Sequence, residues 1–311
     1  MIEAAEFNAM LSLLDDTDEA VVFAVESRFL EEGDSVIEQL EKSWVSNDFP
    51  QVSSQIESLI KRIQRNHLHQ GFGAWFKQEL PDLLEGWIWL SKIKYPGIQS
   101  ESILRSINDI KMDAWLMMGN VQNEREKIDI LNHVFFDQQG FKGDSNQYHY
   151  PDNSFINTVL SRKTGNPISL SALYITVAQS LGLPVFGVNL PQHFIVAYCG
   201  LKKGVSNKCA VNELKTSEIG EPLFYINPYS KGQVFIKDSV DAFLKVVNVK
   251  PMAQFYLPCS VHDIIKRMLR NLHYSFGESQ EIEKQQELLL VMKLCGMADE
   301  IDIDESDNFN I

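Results

Sequence analysis

Basic side chains are scarce in this sequence. It has 28 Lys and Arg against 42 Asp and Glu, which gives a formal net charge of −14. A surface with that excess of negative charge repels phosphate groups, so we expect no nucleic-acid partner and no anionic membrane partner. Long apolar runs are missing as well, since none approaches the ~20 residues that span a bilayer. Because the first residues also lack the basic and apolar regions of a secretory signal, the chain is predicted to be cytoplasmic.

Cysteine is also rare. The four cysteines lie far apart and form no Cys-x-x-Cys pair; they are Cys199, Cys209, Cys259 and Cys295. This spacing indicates free thiols in a reducing compartment rather than a disulfide framework. No stretch of the sequence has the ligand spacing of a metal site, so we expect neither a metal nor another cofactor.

Only helices are predicted over the first ~130 residues, because apolar residues recur there at helical spacing. Helices over 19–31 and 35–46, separated by Gly33, resemble one HEAT-type pair. Further helices are predicted in order at 50–64, 72–92, 100–118 and 125–136.

The middle of the chain mixes helix and strand. A helix over 168–181 is followed by strands over 185–189 and 193–198. A third strand is predicted to end at Asn227, beyond a long polar connection.

Helical periodicity returns after Pro251. Helices over 260–277 and 281–294 resemble a tetratricopeptide-type hairpin. We therefore predict an N-terminal helical segment, a core with a helical lead-in, a helical hairpin and an acidic tail. Their respective boundaries are 1–66, 67–255, 256–298 and 299–311.

The order of helix start, histidine and asparagine points to triad chemistry. A cysteine at a helix N-terminus gains thiolate character from the helix dipole and a nearby imidazolium. A histidine on the adjacent strand acts as its base, and an Asp or Asn on the next strand fixes the imidazole tautomer. His193 and Asn227 can fill the last two roles. We expect them to be neighbours on adjacent antiparallel strands, with the start of the 168–181 helix facing them.

Several motifs occur in an order known from one family. They are Tyr-Pro-Asp-Asn-Ser-Phe-Ile-Asn, Gly-Asn-Pro-Ile-Ser-Leu, Leu-Gly-Leu-Pro, Leu-Pro-Gln-His-Phe and Asn-Pro, at residues 150–157, 165–170, 181–184, 190–194 and 227–228. Over about residues 70–295 the chain resembles the SirB-type transglutaminase-like family. The resemblance implies an α+β fold with a transglutaminase/papain-like core. In that core a helix packs on a small antiparallel sheet, flanked here by the N-terminal helices and the C-terminal helical hairpin.

The nucleophile of such enzymes is missing from this chain. Transglutaminase-like enzymes carry Gly-x-Cys at the helix start, and Gly165, Asn166 and Pro167 take that place here. The family usually has Asp where this chain has Asn227. An amide oxygen still orients an imidazole, but it stabilises the imidazolium less than a carboxylate does.

Two serines near the helix start are alternative nucleophiles. At ~100° per residue, Ser169 lies ~200° around the helix from Pro167, while Ser171 lies ~40° away but ~6 Å deeper. Neither falls at the position of the missing thiol, and both are expected to bond backbone groups in the first turn. Cys259, with His262 three residues on, is a further candidate outside the motif order.

We expect a pseudoenzyme that binds or regulates a protein or peptide partner. Its vestigial or candidate catalytic residues are His193, Asn227, Ser169 and Ser171. Its candidate binding residues are Asn153, Asn166, Pro167, Gln192 and Tyr229. The alternative is an amidase or protease-like hydrolase that uses Ser169 or Ser171 with His193 and Asn227, and a third option is a scaffold with a filled cleft. The sequence specifies no oligomeric state.

Overall fold

The computed structural model describes residues 2–46, 48–202 and 210–298. The chain forms two compact units, Met1–Gly73 and Ala74–Ile311. Over the described residues it is a mixed, helix-rich protein with small sheets. No described helix combines the length and the apolar character that crossing a membrane requires.

The described residues of the first unit form only helices and the short segments that connect them. The predicted helix over 19–31 is present as α2. It begins after Asp18, whose side chain accepts a hydrogen bond from the Ala20 N–H. It ends at Gly33, which has φ of 60°. Phe29 of α2 is fully buried in the core of this unit. The helices are α1 Ala4–Ser12, α2 Glu19–Glu32, α3 Ile37–Ser46 and α4 Ser53–Phe76.

Among its described residues, the second unit has eight further α-helices. Their bounds are α5 Leu83–Ser91, α6 Ser100–Met118, α7 Glu124–Asn132, α8 Ile156–Arg162, α9 Pro167–Ser180, α10 Lys237–Val246, α11 Val261–Glu278 and α12 Ile282–Leu294. The predicted helix over 100–118 coincides with α6, and Ser260 caps α11 through a capping box with Asp263. Helix already returns at α10, so the prediction that helix returns only after Pro251 is wrong.

The described residues of the second unit form two small sheets. Strands β1 Lys142–Gly143 and β2 Thr164–Gly165 pair in parallel. The larger sheet is antiparallel, in the order β3-β4-β5-β6. Its strands are β3 Val185–Leu190, β4 His193–Leu201, β5 Ile219–Asn227 and β6 Gln233–Phe235.

One face of the four-stranded sheet packs against α10. Side chains of Ile195, Ala197 and Tyr225 form a buried cluster with Val240 and Leu244 of α10. We call this surface the α10 face. Because strand residues alternate between faces, residues at odd positions of β4 belong to it.

The opposite face packs against α9 and α11. An added Cβ at Gly187 would lie 2.7 Å from Phe194 and 3.1 Å from Ile264 of α11, so α11 lies directly on this face. Helix α9 contacts β3, β4 and α11. Among the described residues, none from α9 belongs to the buried cluster of the α10 face. Helix α9 therefore covers the face opposite α10.

The substitution Gly86→Ala should destabilise the second unit by about 1–3 kcal/mol, as overpacked cores do. An added Cβ there would meet the Trp75 ring at 2.1 Å, and that ring is buried and tied to Asp82 O by a 2.9 Å hydrogen bond. Urea unfolding measures the change in the free energy of unfolding. Gly73→Ala is the matched control, because this helical glycine has open space around a Cβ and alanine should stabilise its helix slightly. Equal stability of Gly86→Ala and wild type would contradict the packing.

Candidate functional site

The start of α9 is closed by a capping box. Asn166 Oδ1 accepts a hydrogen bond from the Ser169 N–H at 2.9 Å, and Ser169 Oγ accepts one from the Asn166 N–H at 3.0 Å. The Ser169 hydroxyl also donates to Asn166 O at 3.1 Å, and Asn166 Nδ2 donates to Ser154 Oγ. Pro167 occupies the first helical position, where its missing N–H costs nothing. All of these groups are buried, so Asn166, Pro167 and Ser169 form the helix start rather than an exposed surface.

Ser171 lies one position past the first turn and is fully buried. Its Oγ has no hydrogen-bond partner among the described residues. The two serines therefore differ: the Ser169 hydroxyl is engaged in the capping box, and the Ser171 hydroxyl is not engaged.

Asn153 belongs to a buried polar network beside the α9 start. Its Nδ2 donates to Gln147 O at 2.7 Å, and its Oδ1 accepts from Arg162 Nη1 at 3.1 Å. Arg162 also pairs with Asp144 at 3.2 Å. Because both ends of the Asn153 amide are bonded and the residue is fully buried, Asn153 holds this loop in place and presents nothing to a ligand.

His193 and Asn227 lie on adjacent antiparallel strands, β4 and β5. The register pairs Val196 with Ile226, which places both side chains on the α10 face. Burial lowers the pKa of the His193 imidazole, the neighbouring Asn227 amide opposes that shift, and the charge of Arg267 adds to it. The neighbouring placement expected for this pair is confirmed, and the imidazole ring lies 6.2 Å from the ring of Phe243 on α10.

Asn227 also shapes the turn that follows β5. Its Oδ1 accepts hydrogen bonds from the N–H groups of Tyr229 and Ser230 at 3.1 and 3.3 Å, and its Nδ2 donates to Ser230 Oγ. Tyr229, half-buried, donates its hydroxyl to Asp144 O at 3.1 Å. Tyr229 thereby ties the end of the sheet to the loop that follows β1.

The start of α9 does not face the His193–Asn227 pair. Strand alternation places the pair on the α10 face, whereas α9 covers the opposite face. No hydrogen bond among the described residues joins His193 to Ser169 or Ser171. The expectation that these elements form one catalytic cleft is therefore wrong in this structure, because the sheet separates them.

A protein-family comparison identifies the domain that contains this arrangement. The family model described as the transglutaminase-like superfamily matches residues 101–270, more than half of the chain. The chain belongs to the transglutaminase-like superfamily. The match includes the α9 start, the His193–Asn227 pair and most of α11.

Curated relatives cover the same region. F-box only protein 21 of Mus musculus is 32% identical over 174 residues, which cover 56% of this chain and 25% of that protein. A UPF0162 protein of Xylella fastidiosa is 27% identical over 164 residues, covering 51% of this chain and 52% of that protein. A UPF0162 protein of Buchnera aphidicola is 26% identical over 205 residues, covering 65% and 69%. The chain thus covers a quarter of the length of F-box only protein 21. No solved structure matches this chain.

None of the described cysteines supplies the thiol that a transglutaminase-like triad needs. Cys199 is buried on the α10 face, and burial raises its pKa to about 12. Burial likewise raises the pKa values of Cys259 and Cys295 to about 12. A thiol with such a pKa is protonated at neutral pH and is a poor nucleophile. Cys209 lies outside the described residues.

The candidate pair of Cys259 and His262 is not assembled. His262 Nε2 lies 2.9 Å from Phe76 O, and its ring packs against the Phe76 ring at 4.7 Å. The backbone N–H of Cys259 bonds Gly187 O at 2.9 Å. Each residue therefore has a separate packing role. Within the described part of the chain, no group of three or more His, Cys, Asp or Glu side chains is placed to hold a metal ion.

Gln192 lies in the two-residue turn between β3 and β4, exposed and with φ of 57°. It lines a cavity that Arg267 of α11 also lines. Arg267 was not singled out from the sequence. The sequence signal that could have identified Arg267 is its position, since it is a basic residue three positions after Ile264 within the apolar stripe of α11.

The substitution Ser169→Ala should lower the free energy of unfolding by about 1–2 kcal/mol, because it removes the capping box and leaves the buried Asn166 N–H without its acceptor. Ser171→Ala is the matched control, since it removes a buried hydroxyl that has no partner. That variant should be as stable as wild type or more stable. Urea unfolding of both variants gives the comparison, and equal losses would contradict the assignment of the two hydroxyls.

The lowered pKa of His193 predicts a pH-dependent stability. The unfolded chain protonates this histidine near pH 6.5, whereas the folded chain does so only at lower pH. The unfolded state therefore binds more protons in that window, and the stability contributed above pH 6.5 is lost as pH falls through it. His193→Asn should lose less free energy of unfolding than wild type between pH 7.5 and pH 5, measured by urea unfolding. Identical pH profiles would rule out a depressed His193 pKa.

Proposed function

We propose that the transglutaminase-like domain of this chain is a non-catalytic module that binds a protein or peptide partner. The observation that carries the proposal is the closed start of α9. Pro167 stands where the enzymes of the superfamily place a cysteine, and the Ser169 hydroxyl bonds two groups of Asn166. Removing the nucleophile of a triad costs on the order of 10⁶ in kcat, so His193 and Asn227 alone do not sustain acyl transfer.

Finer structural assignments belong to the same proposal. We assign a papain-like core of SirB type, in which α9 packs on the antiparallel sheet. The contacting pair α11–α12 supports a tetratricopeptide-like hairpin. The proposed HEAT-like segment consists of α2 and α3. The proposed parts are the N-terminal helical segment 1–66, the core 67–255, the helical hairpin 256–298 and the acidic tail 299–311. We also propose that the chain is a cytoplasmic pseudoenzyme.

Exposed apolar side chains support a protein or peptide partner. On the C-terminal half of α6, Trp115 and Leu116 expose 59% and 66% of their surface, and Met112 is also exposed. Apolar side chains grouped on one exposed element are typical of interaction surfaces. The match to F-box only protein 21, of which it covers 25%, further supports use of this domain as one part of a larger protein.

The second candidate is a serine hydrolase, an amidase or protease-like enzyme using Ser169 or Ser171 with His193 and Asn227. The specific observation in its favour is the unengaged hydroxyl of Ser171. For that chemistry the fully buried Ser171 has to become accessible, and the sheet that separates α9 from His193 has to rearrange.

Acylating probes separate the two candidates. The full chain is treated with a fluorophosphonate and with a peptide chloromethyl ketone, and its intact mass is measured. We expect no stoichiometric adduct on Ser169 or Ser171, because neither hydroxyl is accessible or activated. A stoichiometric adduct on either serine that His193→Ala abolishes would replace the binding function with the hydrolase.

Peptide selection tests the binding half of the proposal. Purified chain is used to select peptides from a displayed random library, and selected peptides are measured against variants. Trp115→Ala and His193→Ala test the α6 surface and the histidine separately. His133→Ala, an exposed histidine at the end of α7, is the control. Selected peptides whose affinity changes in neither Trp115→Ala nor His193→Ala would contradict both proposed surfaces.

A further inference from the structure

Arg267 is a partly buried cation on α11. Its Nη1 donates hydrogen bonds to Asn189 Oδ1 and, at 2.6 Å, to Leu190 O. Its guanidinium lies over the ring of Phe194, 5.7 Å from the centroid. These contacts fix the guanidinium plane at the end of the β3–β4 hairpin. Burial lowers the pKa of Arg267, which shows that the environment disfavours its charge.

No carboxylate pairs with Arg267 in the part of the chain that the structure describes. Asp263 lies one turn earlier on α11, but its Oδ2 accepts hydrogen bonds from the N–H and the hydroxyl of Ser260 at 3.1 and 2.7 Å. The like charge of Arg270 adds to the effect of burial on the Arg267 pKa. A buried cation without a counter-ion is costly. The chain has 42 acidic residues, yet none of those described is placed to offset this cost.

The guanidinium borders a cavity of about 650 Å³ beside the β3–β4 hairpin. This volume is within the range of small-molecule sites. Its polar wall includes Arg267, Arg270, the amide of Asn271 and the carboxylate of Asp263, which is engaged by Ser260. Its apolar wall includes Leu190, Phe255 and Pro258. A ligand that fits has an anionic end for Arg267 and an apolar body for the opposite wall.

We propose that this cavity binds the carboxylate of a ligand whose attached group is apolar. A guanidinium presents parallel N–H groups that match the two oxygens of a carboxylate. Such a ligand supplies the counter-ion that Arg267 lacks and covers the apolar wall. A free organic acid and the C-terminal carboxylate of a peptide with an apolar last residue share this chemistry. The site goes beyond the proposed peptide-binding function, since a free acid satisfies it equally.

Titration calorimetry on the full chain tests the site. The ligands are 4-phenylbutyrate, a hexapeptide ending in Phe with a free C-terminus, the same peptide amidated, and inorganic phosphate. Arg267→Gln should weaken carboxylate binding at least about tenfold, the loss expected for a charge-assisted bidentate pair. Lys266→Gln is the matched control. It removes the same charge from the neighbouring position on α11, where the ammonium lies over the Phe76 ring at 5.6 Å and outside the cavity lining.

A second variant keeps the test decisive if Arg267→Gln loosens the hairpin. Asn271→Asp places a carboxylate four residues after Arg267 on α11, on the same face of the helix. That carboxylate supplies the missing counter-ion from within the chain. The variant should fold, should be at least as stable as wild type, and should lose carboxylate binding at least tenfold.

Each outcome decides something different. Binding of the free acid and of the free-ended peptide, but not of the amidated peptide, supports the site and the peptide-binding function together. Binding of the free acid alone supports the site and removes the support for a peptide ligand there. Absence of carboxylate binding at millimolar concentration, or binding unchanged in both cavity variants, overturns the inference. Phosphate binding as tightly as the carboxylates overturns the assignment of the ligand class.

Discussion

The capping box between Asn166 and Ser169 is the constraint on which the candidate site depends. It satisfies backbone groups at the N-terminus of α9 that would otherwise be buried without partners. A helix start normally offers free N–H groups and a positive dipole end to a substrate or a thiolate. Here a proline and two local side chains occupy that end, so stabilising the helix start and forming an oxyanion or thiolate site compete for the same atoms.

The second constraint is the alternation of side chains between the two faces of the four-stranded sheet. His193 and Asn227 share the α10 face, while α9 lies on the other face, so the two halves of the expected triad are separated by the backbone of the sheet. Asn227 forms the turn after β5 through three hydrogen bonds. Asn227 therefore has a structural role that is independent of catalysis. A triad-like order along a sequence is thus compatible with side chains that act separately.

Local sequence signals predicted much of the fold, whereas features that depend on tertiary packing were not predicted. Pro167 at the first helical position and Ser260 before α11 mark helix starts through local chemistry, and both helices are present as predicted. Helix α10 was not predicted, although Val240, Phe243 and Leu244 recur at helical spacing in its ten residues. The pairing of His193 with Asn227 followed from strand order. The strand order did not predict which face of the sheet packs against α9. The two-residue alternation of side chains separates the faces, but tertiary packing decides which face α9 covers.

The net charge of the chain favours a small anion over a polyanion in the proposed site. With a net charge of −14, the surface repels polyanions, so nucleic acid and anionic membranes gain little from the two arginines. A single small anion experiences less repulsion and gains the full interaction with a fixed guanidinium. In the proposed site the anion would lie beside the guanidinium whose charge adds, after burial, to the lowering of the His193 pKa.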